Sequence, residues 1–417
     1  MILLRKFVTP EEAEKTIQKH FRAIPVEVEV ISTDEAYGRV LAEDIISMLD
    51  VPPFDRSKVD GYAVNSLDTF RANELQPIKL RMLGHVSAGE VSHLKVRRGC
   101  TVEIATGAPL PKGADAVVVL EDAHREDDKV KIFRSAAPSE NVLKKGFDIK
   151  RGELVLRKFQ QITVRELGVM AAIGLTKVKV FKRPRVAVIS TGNELIEPGK
   201  PLPQAKIYDI NRSTLTASIS ECGCLPVIFG IIKDSPREIK RALEKALTTT
   251  DFVITSGSTS AGVEDVLPKI LGELGKPGVV VRGLSTKPGK PTTIAVLDGK
   301  MVCALPGHPS SALTVFGLLV RPILRKMAGF ITETTGFTVS AKAATRIFPA
   351  KGRRTYAPVR LVKGSSGELV AYAIPAESGA ITTLAKADGF IEIPETREFI
   401  EKGEKVEVHL LGQKPPS

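Results

Sequence analysis

The sequence is poor in the residues that mark several common classes of protein. Its 417 residues contain no Trp, five Tyr and four Cys. A disulfide-stabilised secreted scaffold is excluded, because such scaffolds are dense in cysteine. The one close pair, Cys222 and Cys224, lacks the spacing of a zinc site. We therefore expect buried thiols in a reducing compartment.

Long apolar stretches and blocks of like charge are also missing. The longest apolar stretch, residues 312–320, is far shorter than a membrane span. The start "MILLRKF" is too short for the apolar part of a signal peptide. With few aromatic residues and no basic arm, a base-stacking surface for nucleic acid is not expected. The sequence predicts a cytoplasmic protein with no membrane and no nucleic-acid partner.

The charge that is present favours an anionic ligand. Lys and Arg number 60 against 48 Asp and Glu, which gives a formal net charge of +12 at pH 7. Such a balance attracts anions. Because no surface for a polyanion is apparent, a small phosphorylated ligand is favoured. The length exceeds what one core usually organises, so several domains are expected.

Local patterns divide the chain into regions. Thr9, Pro10 and Glu12 form a capping box with proline at the first helical position, and a second helix is predicted near Thr163. Short β-rich runs follow residue 51. Residues 184–328 alternate buried strands with helices, which predicts a doubly wound α/β domain. Within it a helix is expected after Asn211, and Ser235 to Glu238 reads as another capping box. After residue 329 the pattern predicts a β domain containing a hairpin.

Three loops of the predicted α/β domain follow strands, namely "STGNEL", "KDSP" and "TSGSTSAGVED". Ligands of such sheets bind at the carboxyl ends of the strands, so the loops should converge. The small residues of the third loop leave backbone N–H groups available for phosphate, although a purely structural turn would look similar. Asp234 and Asp265 follow different strands and could together hold Mg²⁺. Either one alone would more readily cap a helix.

Two further strings suit anions. "TKPGKP" places Lys287 and Lys290 on a Pro-Gly turn, which fits an oxyanion, although an exposed solvated turn is the ordinary alternative. "ALPGHPSSAL" runs from a strand through a turn into a long helix whose first turn carries serines. His308 in that turn is interpreted as a turn residue, because the six histidines show no metal-ligand spacing.

Six strings occur together in a recognisable order: "FDRSKVDGYA", "TGAPLPKGADAVV", "STGNEL", "TSGSTSAGVED", "KPGKP" and "LPGHPSSA". In this the chain resembles, over nearly its whole length, the molybdopterin molybdenumtransferase family, which includes MoeA and the E domain of gephyrin. The resemblance implies a homodimer that takes molybdopterin-AMP and molybdate or tungstate. It also implies insertion of the metal and release of AMP in a Mg²⁺-dependent hydrolysis, with possible transient contact with the adenylyltransferase. The implied domains are a linker domain (1–48 and 141–178), an inserted β domain (49–140), the α/β domain (179–328) and a small barrel-like β domain (329–417).

The resemblance also assigns site residues where the motifs match. Asp234 and Asp265 resemble the family's Mg²⁺ ligands, and Glu194 resembles its acidic site residue. Together with Asp60 and Thr106, expected from the partner protomer, these are the predicted catalytic residues. The predicted substrate and cofactor contacts are Ser256, Gly257, Ser260, Lys287, Lys290, Pro291, Pro306, Pro309, Ser311, Arg353 and Ser378.

The chain departs from the family at a few positions. Leu143 stands where an arginine is usual, and Lys144 or Lys145 is the alternative cation, though lysine offers a point charge rather than a planar fork. His308 stands where asparagine is common, and Pro358 where a second arginine often occurs. No nucleophile with an evident activating base is present, so positioning and electrostatics should supply most of the catalysis.

Two other functions remain open at this point. One is a molybdopterin adenylyltransferase, which shares the α/β fold. The linker and the terminal β domain argue against it. The other is a non-catalytic, cofactor-binding scaffold, as gephyrin also clusters receptors. Retention of both aspartates and both lysines argues against that function.

Overall fold

The computed structural model describes residues 7–257, 266–331, 338–364, 367–375 and 381–411. The chain forms two compact units, one of residues 1–29, 38–42 and 180–417, the other of residues 30–37 and 43–179. No helix of the described residues is both long and apolar enough to cross a bilayer. The first two elements are α1 (Pro10–His20) and β1 (Val28–Ser32).

The second unit is built mainly from short strands. They are β2 (Ile45–Ile46), β3 (Arg56–Ser57), β4 (Gly61–Val64), β5 (Ile78–Val86), β6 (Cys100–Ile104), β7 (Ala116–Val119), β8 (Ala123–Glu126), β9 (Lys129–Ile132), β10 (Val142–Leu143) and β11 (Leu154–Leu156), followed by α2 (Val164–Ala172) and β12 (Lys177–Phe181). Six of them form one sheet in the order β7-β4-β6-β5-β9-β8, in which only β5 and β6 run parallel. The β-rich region that the sequence predicted is therefore confirmed.

The first two predicted helix starts are correct. The Glu12 backbone N–H donates to Thr9 Oγ1 at 3.2 Å, and the Thr9 N–H donates to Glu12 Oε2 at 2.9 Å. Thr163 and Glu166 form the same reciprocal box at the start of α2. Each box satisfies backbone donors that the first helical turn leaves without intrahelical partners.

The α/β domain of the first unit contains a six-stranded sheet. Its elements are β13 (Arg185–Thr191), β14 (Leu195–Ile196), β15 (Ile207–Tyr208), α3 (Ile210–Glu221), β16 (Leu225–Ile232), α4 (Pro236–Thr249), β17 (Phe252–Ser256), α5 (Val266–Leu274), β18 (Pro277–Arg282), β19 (Thr286–Lys287), β20 (Thr293–Leu297), β21 (Lys300–Leu305), α6 (Pro309–Val315), a π-helical segment (Phe316–Val320) and α7 (Arg321–Met327). The strand order is β16-β13-β17-β21-β20-β18. The first four strands run parallel to one another. Strand β20 runs antiparallel to β21, and β18 runs antiparallel to β20.

Apolar side chains on one face of this sheet pack against α4 and α5 to form a core. Val253 and Ala304 from the central strands pack with Leu243 of α4 and Leu271 of α5. The central strands are buried along their length, which explains why they read as continuous apolar runs rather than as alternating ones. The prediction of an α/β fold is confirmed.

Some local expectations in this domain were wrong. Ser235 occupies the N-cap of α4, but its side chain makes no capping hydrogen bond. The Ser235 N–H instead donates to the Lys233 carbonyl at 2.7 Å and closes a tight turn around Asp234. Asp234 itself binds Asn193. Helix α3 begins at Ile210 rather than after Asn211, with Asp209 as its cap.

The chain ends in a small closed β-barrel. Its elements are β22 (Thr338–Ala343), β23 (Arg354–Lys363), β24 (Leu369–Ala373), α8 (Thr382–Lys386), β25 (Gly389–Ile393) and β26 (Lys405–Leu410). The strands follow the order β23-β24-β22-β26-β25, and β25 pairs with β23 to close the barrel. The predicted hairpin is β23 with β24. Strand β19 joins this sheet by pairing in parallel with β23.

The cysteines fit the expectation of buried thiols in three positions of four. Cys222, Cys224 and Cys303 are buried, and Cys100 is half-buried. Burial raises the pKa of Cys222 to about 11 and also raises the pKa values of Cys224 and Cys303. These three thiols therefore stay protonated at neutral pH.

Candidate active site

Two of the predicted loops meet through one pair of residues. The Asn193 N–H donates to Asp234 Oδ2 at 3.3 Å, and the Asp234 N–H donates to Asn193 Oδ1 at 3.3 Å. Asn193 follows β13, and Asp234 follows the neighbouring parallel strand β16. The pair thus joins "STGNEL" to "KDSP" at the carboxyl edge of the sheet, as expected.

The third loop begins against the first. Thr191 Oγ1 donates to the Ser256 carbonyl at 3.3 Å. A Cβ on Gly257 would lie 2.0 Å from the Thr191 carbonyl oxygen, and the φ of Gly257 is +107°. Only glycine fits both the left-handed backbone and this close approach. Ser256 and Gly257 therefore lie where they were predicted, whereas Ser260 and Asp265 lie outside the described residues and stay predictions.

Three side-chain oxygen atoms at these strand ends are buried and have no hydrogen-bond partner among the described residues. They are Asp234 Oδ1, Ser190 Oγ at the end of β13 and Thr255 Oγ1 at the end of β17. A buried polar atom without a partner costs about 1–3 kcal/mol, so it is rarely retained without a use. Hard cations prefer carboxylate oxygens, and Asp234 Oδ1 fits that requirement. Across the described ranges no group of three or more His, Cys, Asp or Glu side chains could hold a metal.

Sequence reasoning missed the start of α3 as part of the site. Asn211 is only 6% exposed, and its Nδ2 donates to the Gly307 carbonyl at 2.7 Å. Asp209, 1% exposed, caps the helix by accepting from the Arg212 N–H at 3.0 Å. This cap could have been predicted, because an Asp directly before a helix is a common N-cap residue. The bond to Gly307, 96 residues away, has no local signal.

Asn211 fixes the turn that carries the predicted contacts Pro306 and Pro309. A Cβ on Gly307 would lie 3.5 Å from Gly257 Cα, so this turn lies beside the third loop. Pro306 is buried, and Ser311 in the first turn of α6 is buried as well. His308 is the N-cap residue of α6 without a side-chain capping bond, which agrees with its interpretation as a turn residue.

Glu194 is exposed at the same edge. Its Oε2 lies 2.8 Å from the position that a Cβ on Gly192 would occupy, so the carboxylate folds back over that glycine. The Glu194 carbonyl accepts from the Ile207 N–H at 2.9 Å, and the Asn193 carbonyl accepts from Lys206 Nζ. The loop is therefore held between β15 and Asp234.

The two predicted lysines are exposed and lie close together in sequence, with Lys287 in β19 and Lys290 three residues later. Lys290 Nζ lies 4.6 Å from the centre of the Phe7 ring, a cation–π contact. Beside them, Thr286 Oγ1 is another buried oxygen that has no hydrogen-bond partner in the described ranges. Pro291 follows directly and is exposed.

Arg353 lies next to this region, because it immediately precedes β23. The Arg354 N–H donates to the Ser285 carbonyl at 3.1 Å, and Thr286 pairs with Arg354 in the parallel register. The fold thus brings Arg353 near β19 although the two are far apart in sequence. Ser378 lies outside the described residues.

Asp60 and Thr106 lie together in the second unit. The Thr106 N–H donates to Asp60 Oδ1 at 2.7 Å, and both residues are exposed. Their loops are also joined by backbone bonds between Ser57 and the Gly107–Ala108 segment. The sequence predicted these residues as a pair of turns, and the structure brings them into direct contact.

The lysines that follow Leu143 both bind carboxylates. Lys144 Nζ lies 2.9 Å from Asp55 Oδ2, and Lys145 Nζ lies 3.3 Å from Asp50 Oδ2. Partial burial works in the opposite direction, but hydrogen bonds from the Lys145 N–H and the Lys144 ammonium hold the pKa of Asp55 below its ordinary value. Asp55, Lys144 and Asp60 all belong to loops next to β3 and β4.

These features define a class: a multidomain α/β protein whose strand-end loops meet at the carboxyl edge of its sheet, with a closed β-barrel in its C-terminal region. Residues 8–174 match the family model of the MoeA N-terminal region (domains I and II). Residues 187–326 match a probable molybdopterin binding domain, and residues 340–411 match the MoeA C-terminal region (domain IV). The chain belongs to the MoeA family.

Individual relatives agree with this assignment. The chain is 33% identical over 385 residues to a molybdopterin molybdenumtransferase of Nostoc sp., covering 91% of this chain and 88% of the relative. It is 33% identical over 394 residues to the enzyme of the same name from Haemophilus influenzae, covering 93% and 96%. The crystal structure of a molybdopterin biosynthesis MoeA protein from Pyrococcus horikoshii matches with a TM-score of 0.86 and 41% identity, covering 98% of this chain and 100% of that one.

Proposed function

We propose that the protein is a molybdopterin molybdenumtransferase that joins molybdate or tungstate to molybdopterin-AMP and releases AMP. The observation that carries the proposal is Asp234 Oδ1, which is buried at the junction of the strand-end loops and has no hydrogen-bond partner in the described part of the chain. An adenylate carries its charge on phosphate oxygens, and this junction offers a carboxylate oxygen to a cation that would neutralise that charge. Family membership agrees with this substrate class.

Asp234 and, from the sequence, Asp265 would hold Mg²⁺. The metal would neutralise charge on the phosphate oxygens of the adenylate. Ser256 and Gly257, with Ser260, would bind the phosphate through their backbone and hydroxyl groups. Glu194, exposed beside them, would orient the ligand at the mouth of the site.

Lys287 and Lys290 would hold the oxyanion, and Pro291 would keep the end of their turn rigid. The turn with Pro306 and Pro309, together with Ser311, Arg353 and Ser378, would contact the pterin part of the substrate. No step needs a protein nucleophile. The proposed chemistry depends on holding the phosphate and the oxyanion in fixed positions, which lowers the entropy cost of their reaction.

The proposal includes a homodimer in which Asp60 and Thr106 complete the site of the partner protomer. It also includes the four-domain division given by the sequence, a cytoplasmic location and transient contact with the adenylyltransferase that makes the substrate. The hydrogen bond from Thr106 to Asp60 supports a joint role for these two residues, because it fixes the position of an exposed carboxylate in a loop.

Incubation of the purified protein with molybdopterin-AMP, molybdate and Mg²⁺ tests the proposal. AMP release that needs both the oxyanion and Mg²⁺ is the expected result. ATP consumption with unmodified molybdopterin would instead indicate an adenylyltransferase. Binding of molybdopterin-AMP without turnover would indicate a scaffold, and competition between molybdate and tungstate would establish the preferred oxyanion.

A further inference from the structure

The turn that carries the two lysines is held from both sides by distant parts of the chain. We call residues 283–291 the lysine turn. On one side the Val8 N–H donates to the Gly283 carbonyl at 3.3 Å, and the Ser285 N–H donates to the Val8 carbonyl at 2.8 Å. On the other side β19 pairs with β23 of the barrel. The turn therefore lies between the N-terminal segment and the barrel.

Arg354 connects these two sides. It is the first residue of β23, and its N–H donates to the Ser285 carbonyl at 3.1 Å. Its guanidinium contacts Glu11 in the first turn of α1, Glu392 Oε1 at 3.2 Å and Glu395 Oε2 at 3.3 Å. One side chain thus joins β23, which neighbours the lysine turn, to the N-terminal helix and to β25, the barrel strand that pairs with β23.

Arg354 is the most buried member of an ion-pair network in which the side chain of Glu11 is 53% exposed and those of Glu392 and Glu395 are each 36% exposed. Its side chain is 17% exposed. Burial works against the charge, but Glu11, Glu392 and Glu395 outweigh it and raise the pKa of Arg354. Networks with a planar, multidentate guanidinium keep a fixed geometry, whereas isolated exposed pairs contribute little.

We propose that Arg354 is a positioning residue for the oxyanion site: by binding Glu11, Glu392 and Glu395 it fixes the lysine turn between the N-terminal segment and the barrel. The inference rests on the proposed function, because it assigns Arg354 a role in the oxyanion step of that reaction. Arg354 acts through Lys287, whose neighbour Thr286 is its strand partner. Loosening the turn would spread the lysines over several positions and weaken their hold on a small anion.

The first test compares Arg354→Ala with Arg346→Ala in the full-length protein. Arg346 is a matched control, because it lies in the barrel region and pairs with Glu401 at 2.7 Å at about half exposure, with none of its described contacts on the lysine turn. We expect Arg354→Ala to raise the half-saturating molybdate concentration about tenfold while turnover at saturating molybdate changes less than about threefold. Arg346→Ala should change both by less than about twofold.

Two further variants keep the test decisive if Arg354→Ala folds poorly. Arg354→Lys keeps the charge but not the planar fork, so it should give an intermediate rise. Glu11→Gln leaves Arg354 in place and releases only the N-terminal helix, so it should raise the half-saturating concentration by a few-fold at most. The proposal would be overturned if Arg354→Lys and Glu11→Gln both kept the wild-type half-saturating molybdate concentration. It would also be overturned if Arg346→Ala raised that concentration as much as Arg354→Ala.

Hydrogen–deuterium exchange separates this proposal from the proposed function. The backbone amides of residues 283–287 should exchange faster in Arg354→Ala than in the wild type, whereas those of β20 and β21 should not. This readout needs no substrate. If the wild type shows no oxyanion-dependent AMP release, the proposed function fails, while unaltered exchange in the lysine turn contradicts the role of Arg354.

Discussion

Asn193 and Asp234 bind each other reciprocally, each backbone N–H donating to a side-chain oxygen of the other at 3.3 Å. The bond to Asn193 uses only Oδ2 of Asp234, and Oδ1 is buried with no partner within the residues that the structure describes. The pair therefore fixes the carboxylate in one orientation and leaves one oxygen for a ligand. An aspartate that merely capped α4 would direct its oxygens to the helix N–H groups.

Replacing Asp234 with Asn should weaken Mg²⁺-dependent AMP release. The amide keeps the shape but offers a cation no negative charge, so the half-saturating Mg²⁺ concentration should rise about 10- to 100-fold. A Mg²⁺ titration of AMP release measures the change, and Asp265→Asn should behave in the same way.

The matched control is Asp251→Asn. Asp251 accepts from the Arg185 N–H at 2.7 Å, at the start of β13 and therefore at the opposite edge of the sheet. It should leave the Mg²⁺ titration unchanged. Wild-type Mg²⁺ dependence in Asp234→Asn would remove Asp234 from the metal site.

Replacing Lys287 or Lys290 with Ala should weaken oxyanion binding. A charge-assisted contact is worth about 1.5–3 kcal/mol, which corresponds to roughly a 10- to 100-fold rise in the half-saturating oxyanion concentration. Affinity for molybdopterin-AMP should change less, because the proposed phosphate contacts lie in the separate loop that contains Gly257. The measurement is an oxyanion titration at a fixed concentration of molybdopterin-AMP.

Lys276→Ala supplies the comparison for the lysines. Lys276 is also an exposed lysine directly before a proline, but it follows α5 at the other end of the domain. Its curve should match the wild type. Near-neutral effects at Lys287 and Lys290 as well would mean that "TKPGKP" is only a solvated turn.

Mixing two inactive chains should restore activity if the site is shared between protomers. Asp60→Ala and Asp234→Ala damage different parts of the proposed composite site, so some mixed dimers would hold one intact site. Recovered AMP release after subunit exchange is the expected result, with exchange verified by mass spectrometry. Exchange without recovery would place a complete site in each chain.

Alkylation at pH 8 should distinguish Cys100 from the other thiols. Only the thiolate reacts readily, and burial raises the pKa values of Cys222, Cys224 and Cys303 above the ordinary value. Raising the pH toward 11 should therefore make Cys222 reactive, since its pKa is about 11. Mass spectrometry of the iodoacetamide-treated native protein, with a denatured control, shows the order in which the cysteines are labelled. Early labelling of Cys303 would contradict its burial.

Local patterns predicted those parts of the fold that depend on near neighbours. The boxes at Thr9 and Thr163 need residues only three apart, and the buried strands of the α/β sheet appear as apolar runs. The predicted capping bond of the Ser235 side chain does not form, because contacts of the preceding loop decide the geometry of the helix start.

The site was predictable as a set of motifs but not as a set of contacts. The loops carrying Asp234 and Gly257 follow strands, so their common edge could be inferred from topology. The bond from Asn211 to Gly307 and the ion pairs of Arg354 join residues that only the tertiary fold brings together. Such pairs leave no periodic signal in the sequence.

Strand β19 has a consequence for how the chain is synthesised. Thr286 and Lys287 emerge from the ribosome well before their partners Arg354 and Thr355. The parallel strands of the α/β sheet can pair as soon as residue 305 has emerged. Strand β19, which contains Lys287, can pair only after β23 of the barrel has been synthesised. Long-range parallel pairing is slow to form, so the nascent chain would form its α/β sheet first and fix its lysine turn last.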